Sequence, residues 1–328
     1  MTFYSIIVAA YNVERTILFT LNSLEAQIFK NFEVIVVNDC STDNTDQIIQ
    51  NFIGETKIAK IHYHVNKKNV GLREVRNYGI EHATGDYVLF LDGDDAYHTK
   101  SLNCLDERIN RCDVLPEILM FSGATFITDL NYGDDSFLSK YYENDKGYER
   151  IDLENNLVNG LIWLKEAFEN KTYHDASCLM AINVGYLKNK GVRFIPKLIF
   201  EDNLFTREVL LNSDNVAVTN EMILLVRKAV GSITRSPLSK AKIISKFYIS
   251  RHLLNYYKLS GDHFFYEDAL SIYLNLLRQI KKSDLYFIFY INRFINYYYF
   301  RREKIAKDLI FGNIKNDLKN FLGYSNHL

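Results

Sequence analysis

Tyr87-Val88-Leu89-Phe90-Leu91-Asp92-Gly93-Asp94-Asp95 decides how this chain is read. Five apolar residues run straight into three carboxylates spread over four positions. An apolar run of that length predicts a buried strand. Three carboxylates at its tip repel one another unless a cation sits among them. Hard divalent cations take oxygen ligands, and magnesium-type sites combine one or two carboxylates with substrate phosphates. The alternative for this stretch taken singly is an acidic turn in which Gly93 supplies the bend.

Upstream, residues 4–10 form a short β-branched apolar run that ends at Tyr11-Asn12. Residues 14–26 carry Ile17, Leu18, Leu21 and Leu24 at the spacing of one helix face. A second strand is predicted over 32–37, ending at Asn38-Asp39-Cys40-Ser41-Thr42-Asp43, where Ser41 or Thr42 can cap the next helix. A third strand is expected within 58–65, a polar loop with Gly71 follows, and 73–83 reads as helix. Strands alternating with helices mean βαβ units and a mostly parallel sheet flanked by helices. In such sheets ligands bind beyond the carboxyl ends of the strands. Tyr11-Asn12, Asp39 and Asp92–Asp95 each sit at such an end, and unrelated acidic turns have no reason to share one edge.

Downstream, 115–127 reads as a strand, 129–152 as a polar loop or insertion, and 157–168 as a helix holding Trp163, the only tryptophan. Residues 177–182 are strand-like. An apolar run at 198–200 leads into Glu201-Asp202-Asn203, with a helix expected over 204–211. Short strands are expected at 216–218 and 223–226, and 227–235 reads as a loop. From Ser239 glycine becomes scarce and helical spacing continues, which places a boundary near Pro237: a catalytic domain over 1–236 and a helical region over 237–328. Residues 284–302 hold nine Phe or Tyr interleaved with Arg293, Arg301 and Arg302.

The net charge of -1 gives no global signal for nucleic acid, yet the charge is unevenly placed. Residues 235–328 carry a net +9 and the remainder -10, a hint about partners. Basic and aromatic residues at helical spacing suit either a membrane interface, as for a lipid-linked acceptor, or an oligomer contact. Cys40, Cys104, Cys112 and Cys178 form no metal-type pair and no disulfide framework, so a reducing, cytoplasmic compartment is expected, with peripheral contact at the membrane's inner face as the extension of the lipid reading. The first ten residues lack the basic region and cleavage site of a signal peptide, and no uncharged run of spanning length occurs.

Several side chains at the shared edge have two readings. Asp39 could accept hydrogen bonds from a base or ribose, or could serve as a turn or capping residue. Tyr11 could stack on a base or line the rim. Arg73 and Arg76 could neutralise a diphosphate by bidentate contacts, or could pair with the carboxylates themselves. Asp202 could act as general base for a hydroxyl, or belong to a helix-capping acidic pair with Glu201. The eight histidines show no metal spacing, and no Ser/His/Cys nucleophile signature is present.

The order Ala9-Ala10-Tyr11-Asn12, Val37-Asn38-Asp39-Cys40-Ser41-Thr42-Asp43, Asn69-Val70-Gly71 with Arg76-Asn77-Tyr78-Gly79, Leu91-Asp92-Gly93-Asp94-Asp95 and Phe200-Glu201-Asp202-Asn203 resembles family 2 glycosyltransferases of the GT-A fold, over about residues 1–235. The likeness is to the bacterial branch that builds capsules, O-antigens and related surface glycans. It implies inverting transfer of a hexose or N-acetylhexosamine from a nucleotide-sugar, usually UDP-linked, to a glycan or lipid-linked acceptor. A divalent metal, Mn2+ or Mg2+, would be bound by Asp94 first and Asp92 second, with Asp92 also near the ribose. Ala9, Tyr11 and Asp39 would line the nucleotide site, Arg73 or Arg76 would sit near the base or diphosphate, and Asp202 would be the catalytic base. Arg227 and Gly231-Ser232-Ile233 resemble the segment that closes over the diphosphate. Cys40 stands where the family usually has Gly, Asn38 replaces a common Asp, and Val75 occupies a position that is usually small. The competing classes are a nucleotidyltransferase, which would show a glycine- and basic-rich phosphate loop absent from residues 9–14, and a non-catalytic descendant of the fold.

Overall fold

The computed structural model describes residues 1–126, 147–154, 156–196, 198–227 and 237–281. Ser232 and its neighbours, the 284–302 aromatic stretch and most of the 129–152 segment lie outside the described residues. The chain divides into two compact units, Met1–Ser236 and Pro237–Leu328.

In the first unit, β1 (Tyr4–Ala10), β2 (Phe32–Asn38), β3 (Ile61–Val65) and β4 (Tyr87–Asp92) alternate with α1 (Ile17–Glu25), α2 (Thr45–Glu55) and α3 (Leu72–His82). These four strands pair in parallel in the order β3-β2-β1-β4. The register puts Ala10 beside Asn38 and Ala9 beside Asp92, so Tyr11, Asp39 and the acidic tip all leave the sheet at one edge. The two faces of β1 follow from its alternation. Tyr4, Ile6, Val8 and Ala10 join one core with Ile17, Leu21 and Leu24 of α1 and Ile49 and Phe52 of α2. Ile7 points the other way, against α3, where Gly79 leaves room for it.

Beyond β4 come β5 (Ala96–Tyr97), α4 (Ser101–Asn110), β6 (Ile118–Phe126), α5 (Gly160–Glu169), a 3-10 turn (Ser177–Leu179), β7 (Met180–Asn183), α6 (Val184–Lys190), α7 (Glu201–Leu211) and β8 (Val216–Arg227). Among the described residues the sheet has eight strands in the order β3-β2-β1-β4-β7-β6-β8-β5. β7 runs antiparallel to both β4 and β6, and β5 antiparallel to β8, so the sheet is mixed with parallel pairs in the majority.

Several expectations are corrected in detail. β8 is one twelve-residue strand, not two; the exposed pair Asn220 and Glu221 breaks its apolar run without ending it. Residues 177–179 form a 3-10 turn before the strand. Ser41 and Thr42 do not cap α2, which begins at Thr45 with Asp43 Oδ1 accepting the Thr45 N–H. Ser41 Oγ instead accepts the Asn12 N–H, and Asn12 Oδ1 accepts the Thr42 N–H, tying the β1 and β2 end loops together. Gly93 supplies no positive-φ bend. Its missing side chain matters because a Cβ there would lie 2.8 Å from the Ala9 carbonyl oxygen.

Cys40 has φ 61, the left-handed region in which glycine is favoured. A non-glycine residue there carries strain of about 1–2 kcal/mol, partly offset by glycine's greater freedom when unfolded. Cys40→Gly is therefore expected to raise stability by about 0.5–1 kcal/mol in urea unfolding. Cys40→Ala, which keeps the strain, is the control, and an equal gain there contradicts the explanation.

The second unit contains α8 (Lys240–Ser260) and α9 (His263–Lys281), joined through Gly261 at φ 70. Ser239 Oγ caps α8 by accepting the Lys242 N–H. Ile243 and Leu276 pair in its core, with Leu238, Phe247 and Tyr273 packed around them. No helix among the described residues is long and apolar enough to cross a membrane.

Candidate active site

The end loops of β1 and β2 form one wall. Tyr11 is half exposed, with its ring available to a ligand, and Ala9 lies beside Asp92. Asp39 is buried and already engaged. Its Oδ1 accepts from Asn66 Nδ2 at 2.8 Å and the Val70 N–H at 2.9 Å, and its Oδ2 accepts the Gly71 N–H at 2.7 Å. Three of roughly four acceptor positions on this carboxylate thus hold the loop that leads into α3.

The acidic tip is clamped from two sides. On α1, Thr16 Oγ1 donates to the Gly93 carbonyl at 2.9 Å and Thr20 Oγ1 to the Asp95 carbonyl at 2.7 Å. At the end of β8, the Arg227 N–H donates to Asp95 Oδ1 at 2.8 Å and Arg227 Nε to the Asp94 carbonyl at 3.0 Å. The Arg227 guanidinium is sandwiched by Phe19 and Phe126, 4.9 and 4.6 Å from the ring centres. Arg227 therefore holds the acidic turn by its main chain at Asp94 and by the Asp95 carboxylate. Asp95, left unassigned by the sequence, is the buried post that receives it. The Thr16–Thr20 pair is a signal the sequence does contain, as two hydroxyls one helical turn apart, but only the fold shows what they hold.

Burial, and then the charge of Asp92, pushes the Asp94 carboxyl up to about 6, with partial relief from Arg227. Burial followed by Asp94 and Asp92 pushes Asp95 well up. Like-charged carboxylates that hold each other's protons on are a receptive place for a cation. Among the described residues no three His, Cys, Asp or Glu side chains converge as a ready-made metal cage. Two neighbouring carboxylates suit a cation that takes its remaining ligands from substrate phosphates.

Across the sheet, Phe200 adopts φ 66 and turns the chain so that Glu201 and Asp202 open α7. A bulky residue in that conformation is strained, and such strain gathers at functional sites. Two carboxylates in a first helical turn are favoured by the helix dipole. Burial and then Asp202 raise the Glu201 carboxyl, against the lowering effect of Arg76 and Arg73.

Arg76 joins the two halves. It is 2% exposed, with its guanidinium beside the Phe90 and Phe194 rings. Nη2 donates to Asp92 Oδ1 and Nη1 to Asp202 Oδ1, each at 2.9 Å, and Glu201 Oε1 lies 3.9 Å from Nη1. Burial opposes its charge, but Asp202, Asp92 and Glu201 outweigh it and hold the guanidinium firmly protonated. Of the two roles open to Arg76 in the sequence, pairing with the carboxylates is the one its surroundings display. Arg73 Nη1 donates to the Leu198 carbonyl at 2.7 Å and lies 4.0 Å from Glu201 Oε2. Asp92, Asp94, Arg76, Arg73 and Asp202 are thus brought together, with Tyr11 and Asp39 at the neighbouring strand ends. Cys178, unremarkable in the sequence, is a free thiol pushed well up by burial and then by Asp92, Asp95 and Asp202.

The edge of a mixed α/β sheet carrying these carboxylates is the architecture of the sugar-nucleotide-binding GT-A class. Residues 5–163, just under half of the chain, match the model for Glycosyl transferase family 2, which identifies that segment with the family. It is 27% identical over 234 residues to the glycosyltransferase GlyA of Streptococcus pneumoniae serotype 4, covering 70% of this chain and 31% of that protein. It is 29% identical over 226 residues to the poly(ribitol-phosphate) beta-N-acetylglucosaminyltransferase TarS of Staphylococcus aureus, covering 66% of this chain and 34% of that protein. The chain therefore spans about a third of the length of these relatives. The crystal structure of TarS 1–349 with UDP-GlcNAc superposes with a TM-score of 0.58 at 24% identity, covering 77% of this chain and 67% of that one. That match shows a shared GT-A-like fold.

Proposed function

We propose that this chain transfers a sugar from a UDP-sugar to a hydroxyl of a glycan or lipid-linked acceptor, with inversion. The observation that carries the reading is the single buried guanidinium of Arg76, which fixes Asp92 and Asp202 at 2.9 Å each. A donor-side carboxylate and a base are thereby held at a set separation across the sheet. Tyr11 stacks on the base, and Ala9 and Asp39 shape its pocket. Arg73 and Arg227 serve the diphosphate side.

Asp202 Oδ1 is occupied by Arg76, which leaves Oδ2 to accept the acceptor hydroxyl's proton. The acceptor oxygen forms its bond to the anomeric carbon as the bond from that carbon to the diphosphate breaks. The proton passes to Asp202, UDP departs, and one displacement inverts the configuration. A hydroxyl is a poor nucleophile, so removing its proton during attack is a main contribution of the protein. Asp94 and Asp92 would hold a divalent cation, whose chemistry there would be to stabilise charge on the departing diphosphate. Incubation with a panel of nucleotide-sugars tests the function: UDP-linked donors should be hydrolysed slowly when a divalent cation is present, and a chain inert to every donor contradicts it.

Proton and cation compete for Asp94. Because its carboxyl is pushed up to about 6, the cation-dependent part of UDP affinity should rise as pH increases from 5 to 7 and then level off. Calorimetric UDP titrations with and without manganese measure it. Asp94→Ala should abolish the manganese effect, and an unchanged effect sinks the metal assignment.

Residues 237–328 are proposed to contact a lipid surface or a second copy of the chain. Liposome co-sedimentation and sedimentation velocity of the full chain separate the two.

A further inference from the structure

Arg76, Arg108, Arg150 and Arg207 are all buried. Three of them face carboxylates: Arg76 faces Asp92 and Asp202, Arg108 lies 3.6 Å from Asp152, and Arg207 pairs with Asp175. Arg150 differs. Its Nε donates to the Phe121 carbonyl of β6 at 3.0 Å, and its guanidinium carbon lies 5.3 Å from the Trp163 ring centre. Both terminal nitrogens, Nη1 and Nη2, are enclosed and have no hydrogen-bond partner among the described residues. Among the described residues, the Tyr173 phenol and the Cys178 thiol raise its pKa and the His174 imidazole feels its charge; none of the three is a carboxylate. Burial pulls its pKa down to about 10, which still leaves it cationic at neutral pH. A buried cation without a counter-charge is strongly unfavourable, and an unsatisfied buried group calls for a missing ion or water.

The position of Arg150 says which part of the site it serves. Cys178 feels the charge of Arg150 and also those of Asp202, Asp92 and Arg76. The hydroxyls of Tyr173 and Thr206 are hydrogen-bonded at 2.7 Å, and Thr206 Oγ1 in turn donates to the Asp202 carbonyl at 2.7 Å. Arg150 thus lies behind Asp202, on the β6 and α7 side of the site. Ser177, next to Cys178, is fully buried, and its hydroxyl also lacks a partner among the described residues. His174 is half-buried, in edge-on contact with Tyr148 at 5.2 Å, and its pKa is lowered by burial and then by Arg150.

We propose that Arg150 is the fixed cation of an acceptor-side site for a phosphate group, occupied when a phosphate-bearing acceptor enters beside Asp202. This rests on the glycosyltransferase reading. Two Nη groups on one planar guanidinium, unpartnered among the described residues, match the oxygens of a phosphate. Since both nitrogens are enclosed, entry of the phosphate requires a neighbouring side chain to shift.

The test is phosphate binding by the full chain, measured calorimetrically with and without saturating magnesium-UDP, which fills the donor site. Inorganic phosphate should bind in both conditions. Arg150→Gln should bind it at least about tenfold more weakly, with Arg150→Lys in between. UDP should bind all three proteins equally, which also certifies their folding. Should Arg150→Gln not fold, Arg150→Lys, which keeps the charge but loses the fork, decides the matter by the same comparison. Dimethyl phosphate and farnesyl phosphate, as a diester and a lipid monoester, report whether a polymer phosphodiester or a lipid phosphate is the better fit. Phosphate binding that is absent from the unaltered chain, or unchanged by both substitutions, overturns the proposal. Failure to bind UDP contradicts the glycosyltransferase reading instead, and Arg150-dependent phosphate binding without UDP remains a separate result.

Discussion

Asp202→Asn should lower transfer by about 10²–10⁴-fold while UDP still binds. The amide keeps the shape of the side chain and can still meet Arg76 through its oxygen. It cannot take a proton from the acceptor hydroxyl. The loss should therefore fall on kcat and spare donor affinity, because Asp202 lies at the start of α7 and not among the β1 and β2 end loops. Two measurements decide it: single-turnover transfer and calorimetric UDP binding. A variant with weakened UDP binding and preserved turnover would place Asp202 on the donor side and end its assignment as base.

Arg76 carries the second large effect, as a positioning residue. Arg76→Met leaves Asp92 and Asp202 without the guanidinium that joins them, and Glu201 with only Arg73 at 4.0 Å. Breaking one side of a buried ion-pair set in this way costs about 3–5 kcal/mol. The pH dependence follows from the sign of the shifts. Without Arg76, the Glu201 carboxyl, already raised by burial and by Asp202, loses the lowering effect of that guanidinium and rises further above its unfolded value. The folded state then holds more protons, so stability falls as pH rises through the raised value. The penalty in urea unfolding should be largest near pH 7 and shrink on acidification toward pH 4. Arg76→Lys separates folding from function. One ammonium restores charge but cannot bridge two carboxylates 2.9 Å from different nitrogens. Turnover should fall by about tenfold or more while KM for the donor changes little. Unaltered turnover in the lysine variant would show that the fixed separation has no catalytic weight.

The common edge of Tyr11, Asp39 and Asp92–Asp95 was legible because each polar cluster ended an apolar β-branched run, and parallel strands place such ends together. Asp202 was legible by the same logic, as a carboxylate between an apolar run and a helix. What escaped were contacts made across the sequence. Arg76 and Asp202 are 126 positions apart, and no local pattern announces that one guanidinium holds both Asp202 and Asp92. Asp39 was legible as a strand-end acid, but its grip on the Val70 and Gly71 amides depends on how the loop before α3 folds back. β5, two residues long, is too short for any periodicity to show. Arg150 looked like one more charge beside a polar loop, since burial without a partner is a property of the packed chain.

The reversal of strand direction between β4 and β7 also divides the protein into two inheritable halves. Apart from Arg227, which clamps the acidic turn from β8, the described residues proposed to hold the nucleotide are encoded before residue 96. The proposed base and the phosphate-seeking arginine are encoded after residue 149. Across that seam, the bond from Arg76 to Asp202 acts as a rivet. A lineage could exchange its later segment and acquire a new acceptor without relearning its donor, provided the incoming segment presents a carboxylate where the rivet closes.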